Sequence, residues 1–370
     1  MATTTCPVFH PTQEEFSNFS VYVEGIVKEI GDSHGILKVI PPSGFFDRDY
    51  SIEKLNYEVV VKHNVTQVVN INGSAGTYAV DLVAGTELSL DQFYNLASAN
   101  DCEEECYYER EKLFWKSIGC GGFGSKPTSI TNTNTSSNSN SSNSSSSSSS
   151  NSNSSSSRGG LRACKKYSNN DWMEPIYGAD IVGSLFGSDA SAWNVNRLDT
   201  PLKLLNDHTG GGELEGVTNS MLYFGMWRAM FAFHTEDMNL NSINYIHTGA
   251  AKSWYAIPEK SGKQLESMAT SHFPTEAMKC KEFLRHKTCM MSPNKLKACG
   301  IRFDTVLQHA GEFVITLPGA YHSGFNHGFN IAESSNFMLS NWFDIGRKAG
   351  VCKCEPFNVS IDVDVLETLY

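Results

Sequence analysis

A tract of polar residues divides this chain and limits what the rest can fold into. From Thr131 to Ser157 every residue is Ser, Thr or Asn. Such a tract has no apolar side chains whose burial could offset the entropy lost on ordering, so the sequence predicts a disordered insertion over about 125–160. Because each doubling of a surface loop costs only about 0.6 kcal/mol of closure entropy, the flanking parts can still form one fold.

The composition of the chain is that of an ordinary globular protein. Its 370 residues are 40% hydrophobic and 19% charged, which is enough apolar material for a large core. No apolar run approaches the roughly 18 residues of a membrane span. The first residues resemble no signal peptide, so we expect the nucleus or the cytosol, where the ten cysteines stay reduced. The net charge of −11 argues against direct sequence-specific DNA binding.

Local signals predict a mixture of helices and strands in the N-terminal part. Pro11 and Thr12, with Glu15 three residues after Thr12, are typical of a helix start with a capping box. A short strand ended by prolines is predicted at 36–42, and β-branched residues recur over 59–70. Helices are predicted at 90–96 and 103–116.

The C-terminal part is richer in strand signals. Four β-type runs follow one another with short breaks, which predicts an antiparallel sheet of successive strands; the runs are 221–227, 231–237, 242–248 and 252–258. Two helices are predicted next, followed by further strands; these segments are 261–273, 274–287, 312–318 and 320–337. Strand runs with inserted helices indicate a mixed α+β, β-rich barrel or sandwich with surrounding helices.

Two strand positions have the spacing of a metal site. His234 and Glu236 are two residues apart, so on a strand both side chains point to the same face. His322, on a later strand, can supply a third ligand. Two histidines and one carboxylate leave positions open on an octahedral ion, as in non-haem Fe(II) oxygenases. The alternative is that these are separate histidines, since a lone His-x-Glu is common.

Two further polar residues fall at even separations from His234. Asn244 and Lys252 share its face if each run is a strand and the turns keep the phase. An ammonium buried beside the apolar run 254–258 needs an anion, and a dicarboxylate that also chelates the metal would supply one. The alternative is a lysine that reaches solvent from a strand end.

A second set of residues can bind a different metal. Cys280 and His286 flank a run that we predict to be helical, and Cys352 and Cys354 form a Cys-x-Cys pair near the C-terminus. Three thiolates and one imidazole make a closed tetrahedral set, typical of structural zinc. Cys289 and Cys299 lie near enough in sequence to be alternatives, and the four residues can also be unrelated.

Several motifs give the chain a recognisable resemblance. The motifs HTED, SINYIH, KSWY, FLRHK, GEFVIT, YHSGFNHGFNIAES and CKC occur in this order. Together they resemble a JmjC domain, and 9–42 resembles the JmjN segment that accompanies it in the jumonji-domain-two subfamily of histone lysine demethylases. The resemblance implies a double-stranded β-helix (a jelly-roll, cupin-like JmjC barrel) with the JmjN segment packed on it and a zinc-binding C-terminal element. The implied divisions are JmjN at 5–46, a connecting helical region at 47–124, JmjC at 161–345 and the zinc-binding tail at 346–370.

The resemblance also implies a role for each matching position. The Fe(II) ligands would be His234, Glu236 and His322. The residues around 2-oxoglutarate would be Tyr177, Phe231, Asn244 and Lys252. The Zn(II) ligands would be Cys280, His286, Cys352 and Cys354. The methylammonium pocket would include Gly216, Met221, Tyr223, Ser334, Ser335 and Asn336, with Asp180 and Lys287 nearby.

The implied activity is demethylation of histone lysines in the nucleus. A 2-oxoglutarate-dependent dioxygenase of this family oxidises N-methyl groups of the methylated histone H3 tail in chromatin, at the lysine in position nine or thirty-six. It releases formaldehyde, succinate and CO2. Met221 departs from the family, which has a second pocket tyrosine there, and Ser335 replaces a common threonine. The alternatives are a protein hydroxylase on the same barrel and a non-catalytic chromatin scaffold.

Overall fold

The computed structural model describes residues 4–45, 50–55, 59–102, 105–119, 173–188, 191–208 and 217–370. The predicted disordered insertion at 125–160 and the predicted pocket residue Gly216 lie outside these ranges. Within them, no helix is long and apolar enough to cross a membrane.

Strands are the main elements of the described ranges. They are β1 Thr4–Thr5, β2 Val8–Phe9, β3 Ile36–Val39, β4 Val60–Val61, β5 Asn64–Ile71, β6 Thr77–Ala84, β7 Leu88–Ser89, β8 Ile176–Val182, β9 Met221–Gly225, β10 Met230–His234, β11 Asn241–Gly249, β12 Lys252–Ile257, β13 Cys289–Met291, β14 Asp304–Gln308, β15 Phe313–Thr316, β16 Tyr321–Asn326 and β17 Asn330–Phe337.

Helices lie between and around these strands. They are α1 Phe19–Ile30, α2 Ile52–Leu55, α3 Leu90–Ala99, α4 Tyr107–Gly119, α5 Lys203–His208, α6 Glu259–His272, α7 Pro274–Lys279, α8 Pro293–Ala298, α9 Phe343–Gly346 and α10 Val363–Leu369.

Two sheets form the body of the fold. The smaller has the order β1-β14-β12-β16-β10, and the larger has the order β13-β6-β5-β8-β9-β17-β11-β15-β3-β2. Apolar side chains from both sheets meet in one cluster, which includes Trp254 and Val306 of the small sheet and Val314 and Ile36 of the large one. The predicted β-rich α+β class is therefore confirmed, and the two sheets are consistent with a jelly-roll barrel.

Consecutive strands alternate between the two sheets. The runs predicted at 221–258 form β9 to β12, but β9 and β11 belong to the large sheet and β10 and β12 to the small one. The expectation that they form one sheet in sequence order was therefore wrong. All residues of β12, and all but Phe231 of β10, are buried or nearly so. The two strands therefore lack the alternation of apolar and polar residues from which the pairing of strands could be predicted.

The N-terminal segment is attached to the barrel by strand pairing and by one buried carboxylate. Strand β3 pairs antiparallel with β15 and lines up Leu37 with Ile315. Asp304 is fully buried and accepts hydrogen bonds from the Thr4 hydroxyl at 2.6 Å and from the Gly35 backbone N–H at 2.9 Å. Both contacts satisfy a charge that would be costly to bury alone.

Helix boundaries differ from the sequence-based prediction at two places. The predicted capping contacts of Thr12 and Glu15 form, at 2.8 and 3.2 Å, but they enclose only a short 3₁₀ turn. Helix α1 instead begins at Phe19, with the Asn18 side chain as its N-cap. The predicted helix over 274–287 stops at Lys279, because Cys280 takes an extended backbone with φ −148° and ψ 128°.

Candidate active site

The three predicted iron ligands lie together between the sheets. His234 ends β10 and is the cross-strand neighbour of His322 on β16, with ring centroids 4.3 Å apart. Directly opposed residues on antiparallel strands point to the same face. Glu236 comes two residues after His234 and has an extended backbone. One ligand atom from each of the three residues lies within 4.8 Å of the others. The strands thus bring together a set that can bind one ion.

Both histidines are oriented by backbone carbonyls. Nδ1 of His234 lies 2.8 Å from the Ala232 oxygen, and Nδ1 of His322 lies 3.2 Å from the Ala320 oxygen. A carbonyl oxygen only accepts, so Nδ1–H donates in both rings, and Nε2 is the nitrogen left to each ring for a metal. Burial holds the pKa of His234 well below its ordinary value, so its imidazole stays neutral, as metal ligation requires.

The Glu236 carboxylate is held at both oxygens. Oε1 lies 3.2 Å from Nε2 of His322, and Oε2 accepts from the Asn336 amide at 3.1 Å. Burial alone would raise the pKa of Glu236, but the hydrogen bond and positive charge of His322 outweigh it and keep the pKa well below the ordinary value. The carboxylate is therefore charged and oriented at neutral pH.

Lys252 is a fully buried cation. It is the cross-strand neighbour of Asn326, and its Nζ donates to the Asn326 side-chain oxygen at 2.6 Å. The ammonium also lies 5.6 Å from the ring centroids of both Tyr177 and Phe231. Burial lowers the pKa of Lys252 to about 7. With 1% exposure, the alternative of a lysine that reaches solvent is wrong.

No carboxylate pairs with Lys252 among the residues that the structure describes. Nearby, the side-chain oxygen of Asn244 is buried and has no hydrogen-bond partner. The ring of Phe231 packs edge-on against Trp254 at 4.6 Å. That packing needs Gly324, because a Cβ there would lie 2.5 Å from the Phe231 ring. The barrel interior therefore offers a cation to an acidic ligand, and the buried Asn244 oxygen is left for a hydrogen-bond donor.

One wall of the cavity is a row across three strands of the large sheet. Met221 on β9, Ser334 on β17 and Asn244 on β11 are direct cross-strand neighbours, so their side chains share a face. Tyr223, two residues after Met221, lies on that face as well and donates from its hydroxyl to Asp180 at 2.9 Å. Its ring centroid is 6.1 Å from that of Tyr177.

The remaining predicted pocket residues have defined contacts. The Ser334 hydroxyl donates to the Ile243 carbonyl at 2.9 Å, and the Ser335 hydroxyl donates to the Asn336 carbonyl at 3.2 Å. Lys287 has a left-handed backbone, with φ 57°. The pKa of Lys287 is raised, chiefly by Asp180 and against the effect of burial.

The four predicted zinc ligands also come together. The Sγ atoms of Cys280 and Cys352 are 3.7 Å apart, and Nε2 of His286 lies 3.3 Å from Sγ of Cys352. Cys354 completes the group, whose ligand atoms all lie within 4.8 Å of one another. The ring of His286 stacks on Phe357 at 5.0 Å. Cys289, an alternative ligand, is buried in another cluster beside β6.

Comparison with known proteins agrees with this geometry. Residues 221–337 match the family described as JmjC domain, hydroxylase, and residues 7–41 match the jmjN domain. The chain carries a JmjN and a JmjC domain. The JmjC match spans β9 to β17, and so includes all three residues of the triad. The resemblance inferred from the motifs is confirmed.

This chain has relatives whose names state an activity. The chain is 35% identical over 363 residues to lysine-specific demethylase 4B of Mus musculus, and the match covers 96% of this chain and 28% of the mouse protein. It is 34% identical over 360 residues to lysine-specific demethylase 4D of Rattus norvegicus, covering 96% and 59%. The probable lysine-specific demethylase 4F of Homo sapiens is 34% identical over 365 residues, with 97% and 48% covered. The chain thus spans between about a quarter and three-fifths of these proteins.

Two residues of the JmjC site were missed by the sequence analysis. Asn326 is the hydrogen-bond partner of Lys252, and Arg285 is a buried cation that contacts the backbone of Glu236 at 2.6 Å. The signal for Asn326 was its even separation from His322 on the same strand. Arg285 gave a weaker signal, as a charged residue between apolar Leu284 and the predicted ligand His286.

Proposed function

We propose that this chain is an Fe(II)- and 2-oxoglutarate-dependent lysine demethylase that acts on the methylated histone H3 tail in the nucleus. The observation that carries this proposal is that the barrel holds the His234, Glu236 and His322 set together with Lys252, a buried cation with no carboxylate partner among the described residues. A metal site and an anion site on one face of the small sheet fit a metal-chelating dicarboxylate.

The triad fits a ferrous ion. Its donors are two imidazole nitrogens and one charged carboxylate, and this set suits non-haem Fe(II) with open positions. The 3.2 Å between Glu236 Oε1 and His322 Nε2 is close to the roughly 3.0 Å expected of adjacent octahedral ligands with bonds of about 2.1 Å. When bound, the iron supplies the oxidation by O2 that converts 2-oxoglutarate to succinate and CO2 and hydroxylates the substrate methyl group.

The residues around Lys252 fit 2-oxoglutarate. His322 and Asn326 face the same side of β16 and are four residues, about 13 Å, apart along the strand. A five-carbon dicarboxylate and the Lys252 side chain together can bridge that gap. One carboxylate would pair with Lys252, with Tyr177 and Asn244 as hydrogen-bond donors and Phe231 against the carbon chain. The iron would receive the keto acid end.

The opposite wall fits a methylated lysine. The aromatic ring of Tyr223 and the carboxylate of Asp180 attract a methylammonium group, and Asn336 fixes the nearby Glu236. Gly216, Met221, Ser334 and Ser335 would complete the pocket. A hydroxylated N-methyl group loses formaldehyde and leaves a less methylated lysine. The names of the relatives support a lysine substrate, and we assign the lysine at position nine or thirty-six of histone H3, in its tri- or dimethyl form.

The second cluster fits a structural zinc ion. Two sulfur ligands of a tetrahedral ion with bonds of about 2.3 Å lie about 3.8 Å apart, and Cys280 and Cys352 are 3.7 Å apart. Four protein ligands leave no open position, so this ion would stabilise the fold rather than react.

We also propose boundaries for the parts of the chain. They are JmjN at 5–46, the connecting region at 47–124, JmjC at 161–345 and the zinc-binding tail at 346–370.

The proposal is tested with purified protein, Fe(II), 2-oxoglutarate and a panel of methylated H3 peptides. Mass spectrometry should show stepwise loss of methylene mass, with formaldehyde and succinate formed in equal amounts. His234→Ala should abolish the loss, and full activity in that variant would contradict the iron assignment. A stable gain of one oxygen would identify a protein hydroxylase instead. No turnover of 2-oxoglutarate with any peptide would favour a non-catalytic scaffold.

A further inference from the structure

Arg285 is a buried cation that lies between the two ligand clusters. Its Nη1 donates to the backbone oxygen of Glu236 at 2.6 Å, and its Nη2 donates to the side-chain oxygen of Asn239 at 2.9 Å. Only 6% of the side chain is exposed, and the next residue is His286. One guanidinium therefore joins the segment of the Cys/His cluster to the backbone of a metal-triad residue.

The loop that Arg285 contacts has an unusual backbone. Met238 and Asn239, two and three residues after Glu236, have φ values of 52° and 54°. Side chains with a Cβ rarely adopt this left-handed conformation, and it persists only where surrounding contacts enforce it. Here the enforcing contacts are the bond from Arg285 to Asn239 and a 3.0 Å bond from the Trp342 indole to the Met238 carbonyl. Without them the backbone at Met238 and Asn239 could relax to a lower-energy conformation, and the position of Glu236 just before it would no longer be fixed.

A second contact continues from Arg285 toward the C-terminal cysteines. Its Nε lies 3.5 Å from a carboxylate oxygen of Glu282. The other oxygen of Glu282 packs so closely on Gly350 that a Cβ there would lie 2.1 Å away. Gly350 is two residues before Cys352, the most buried of the four cluster residues. The contacts thus run from the cysteine-bearing tail through Glu282 and Arg285 to Glu236.

We propose that Arg285 is a positioning residue for the metal triad. Its hydrogen bonds to the Glu236 carbonyl and the Asn239 side chain fix the backbone at Glu236, so that the carboxylate lies in the ligand position before the ion binds. Its pairing with Glu282 ties that loop to the Cys/His cluster. Only a forked guanidinium spans the Glu236 carbonyl and the Asn239 amide at once; a lysine offers a single ammonium. The proposal rests on the proposed function only in that the triad binds a divalent metal.

Manganese affinity tests this role without any turnover. Mn²⁺ prefers nitrogen and oxygen ligands to thiolates, so it reports on the triad and not on the cysteine cluster. The signal of free aqueous Mn²⁺ in electron paramagnetic resonance would be titrated with zinc-replete protein. We expect Arg285→Gln to weaken Mn²⁺ binding about 10- to 100-fold, as loss of a supporting contact behind a ligand does, and Arg285→Lys to be intermediate.

Arg228→Gln is the matched control. Arg228 is also buried, and its Nη2 donates to the Met173 carbonyl at 2.9 Å, so its loss tests the general cost of removing a buried arginine. We expect this variant to lose stability and to retain wild-type Mn²⁺ affinity. Folded Arg285→Gln protein with wild-type affinity would overturn the proposal, as would an equal loss in Arg228→Gln.

Two further outcomes have defined meanings. If Arg285→Gln does not fold, Arg285→Lys decides, because it keeps the charge but not the fork; wild-type Mn²⁺ affinity in that variant overturns the proposal. Wild-type protein that binds no Mn²⁺ contradicts the metal triad itself, and with it both proposals. Metal binding that is normal in the wild type and unchanged in both Arg285 variants contradicts only the positioning role.

Discussion

The two ligand clusters are built in opposite ways. His234 and His322 stand on adjacent barrel strands, and both rings are oriented by backbone carbonyls. The cysteine cluster joins a 3₁₀ turn to a C-terminal tail with little regular structure. The contacts between the turn and the cysteines of the tail are mainly those of the ligand side chains themselves. A site on rigid strands is free to leave coordination positions open for chemistry, whereas we expect a closed four-ligand site to strengthen the attachment of the tail.

The sharpest test of this comparison is Glu236→Gln. The amide keeps the shape of the side chain but removes the charge that a divalent ion needs, so we expect demethylation to fall about 10³-fold or more. Because the strands support the site, the melting temperature should stay close to that of the wild type. Peptide mass spectrometry and thermal unfolding measure the two effects. A large drop in melting temperature would show that the barrel site also contributes strongly to the fold.

Cys352→Ser should give the reverse result. Cys352 is 1% exposed and its Sγ contacts all three other members of its cluster, so its loss should release the proposed zinc. Structural zinc contributes several kcal/mol to folding, and we expect the melting temperature to fall by roughly 10 °C or more. Zinc content by elemental analysis and thermal unfolding provide the measurements. A chelator should destabilise the wild type but add nothing in this variant; an equal added effect would contradict the assignment.

Lys252→Met tests the anion site on the barrel. Losing the charge should raise the KM for 2-oxoglutarate by about 10- to 100-fold, the worth of a charged hydrogen bond of roughly 1.5–3 kcal/mol. Replacement of a buried, unpaired charge by an apolar side chain of similar length should leave the fold as stable or more so. Lys260→Met, which removes an exposed ion pair with Asp32, is the matched control and should change neither the KM nor the stability. An unchanged KM in Lys252→Met would place 2-oxoglutarate elsewhere.

The lowered pKa of Lys252 gives a pH dependence of known sign. Its pKa falls from an ordinary 10.5 to about 7, so between these values the unfolded chain binds more protons than the folded one. Without 2-oxoglutarate, the free energy of unfolding should therefore rise with pH between about 7 and 10.5, with a slope of at most about 1.4 kcal/mol per pH unit. Below pH 7 the destabilisation that comes from burying the Lys252 ammonium is fully present. Urea unfolding of wild type and Lys252→Met would measure it. Parallel curves for the two proteins would contradict the shift.

The sequence predicted the site better than the connections around it. The His-x-Glu spacing and the Cys-x-Cys pair are local patterns, and these residues lie close to their predicted partners. The even separations to Asn244 and Lys252 assumed one sheet, whereas Asn244 belongs to the large sheet and Lys252 to the small one. The pairing of β12 with β16, which places Asn326 against Lys252, depends on register between distant strands. The early end of α7 has a similar origin, because Cys280 leaves the helix to meet Cys352. Such contacts are set by tertiary packing, which periodicity does not record.

The smallest effect should come from Met221, which stands on a barrel strand but contacts none of the ligands directly. Its row with Ser334 and Asn244 lines the wall where a methylammonium would lie. A thioether in place of a tyrosine removes one hydroxyl and one aromatic face, each worth about 1 kcal/mol to a bound cation. We expect Met221→Tyr to change the ratio of kcat/KM for trimethyl and dimethyl peptides by about three- to tenfold, with unchanged Mn²⁺ affinity and melting temperature. Competition between the two peptides in one reaction measures that ratio directly. If Met221→Tyr instead altered Mn²⁺ affinity, the wall and the triad would be coupled, and selectivity could not be assigned to the pocket lining alone.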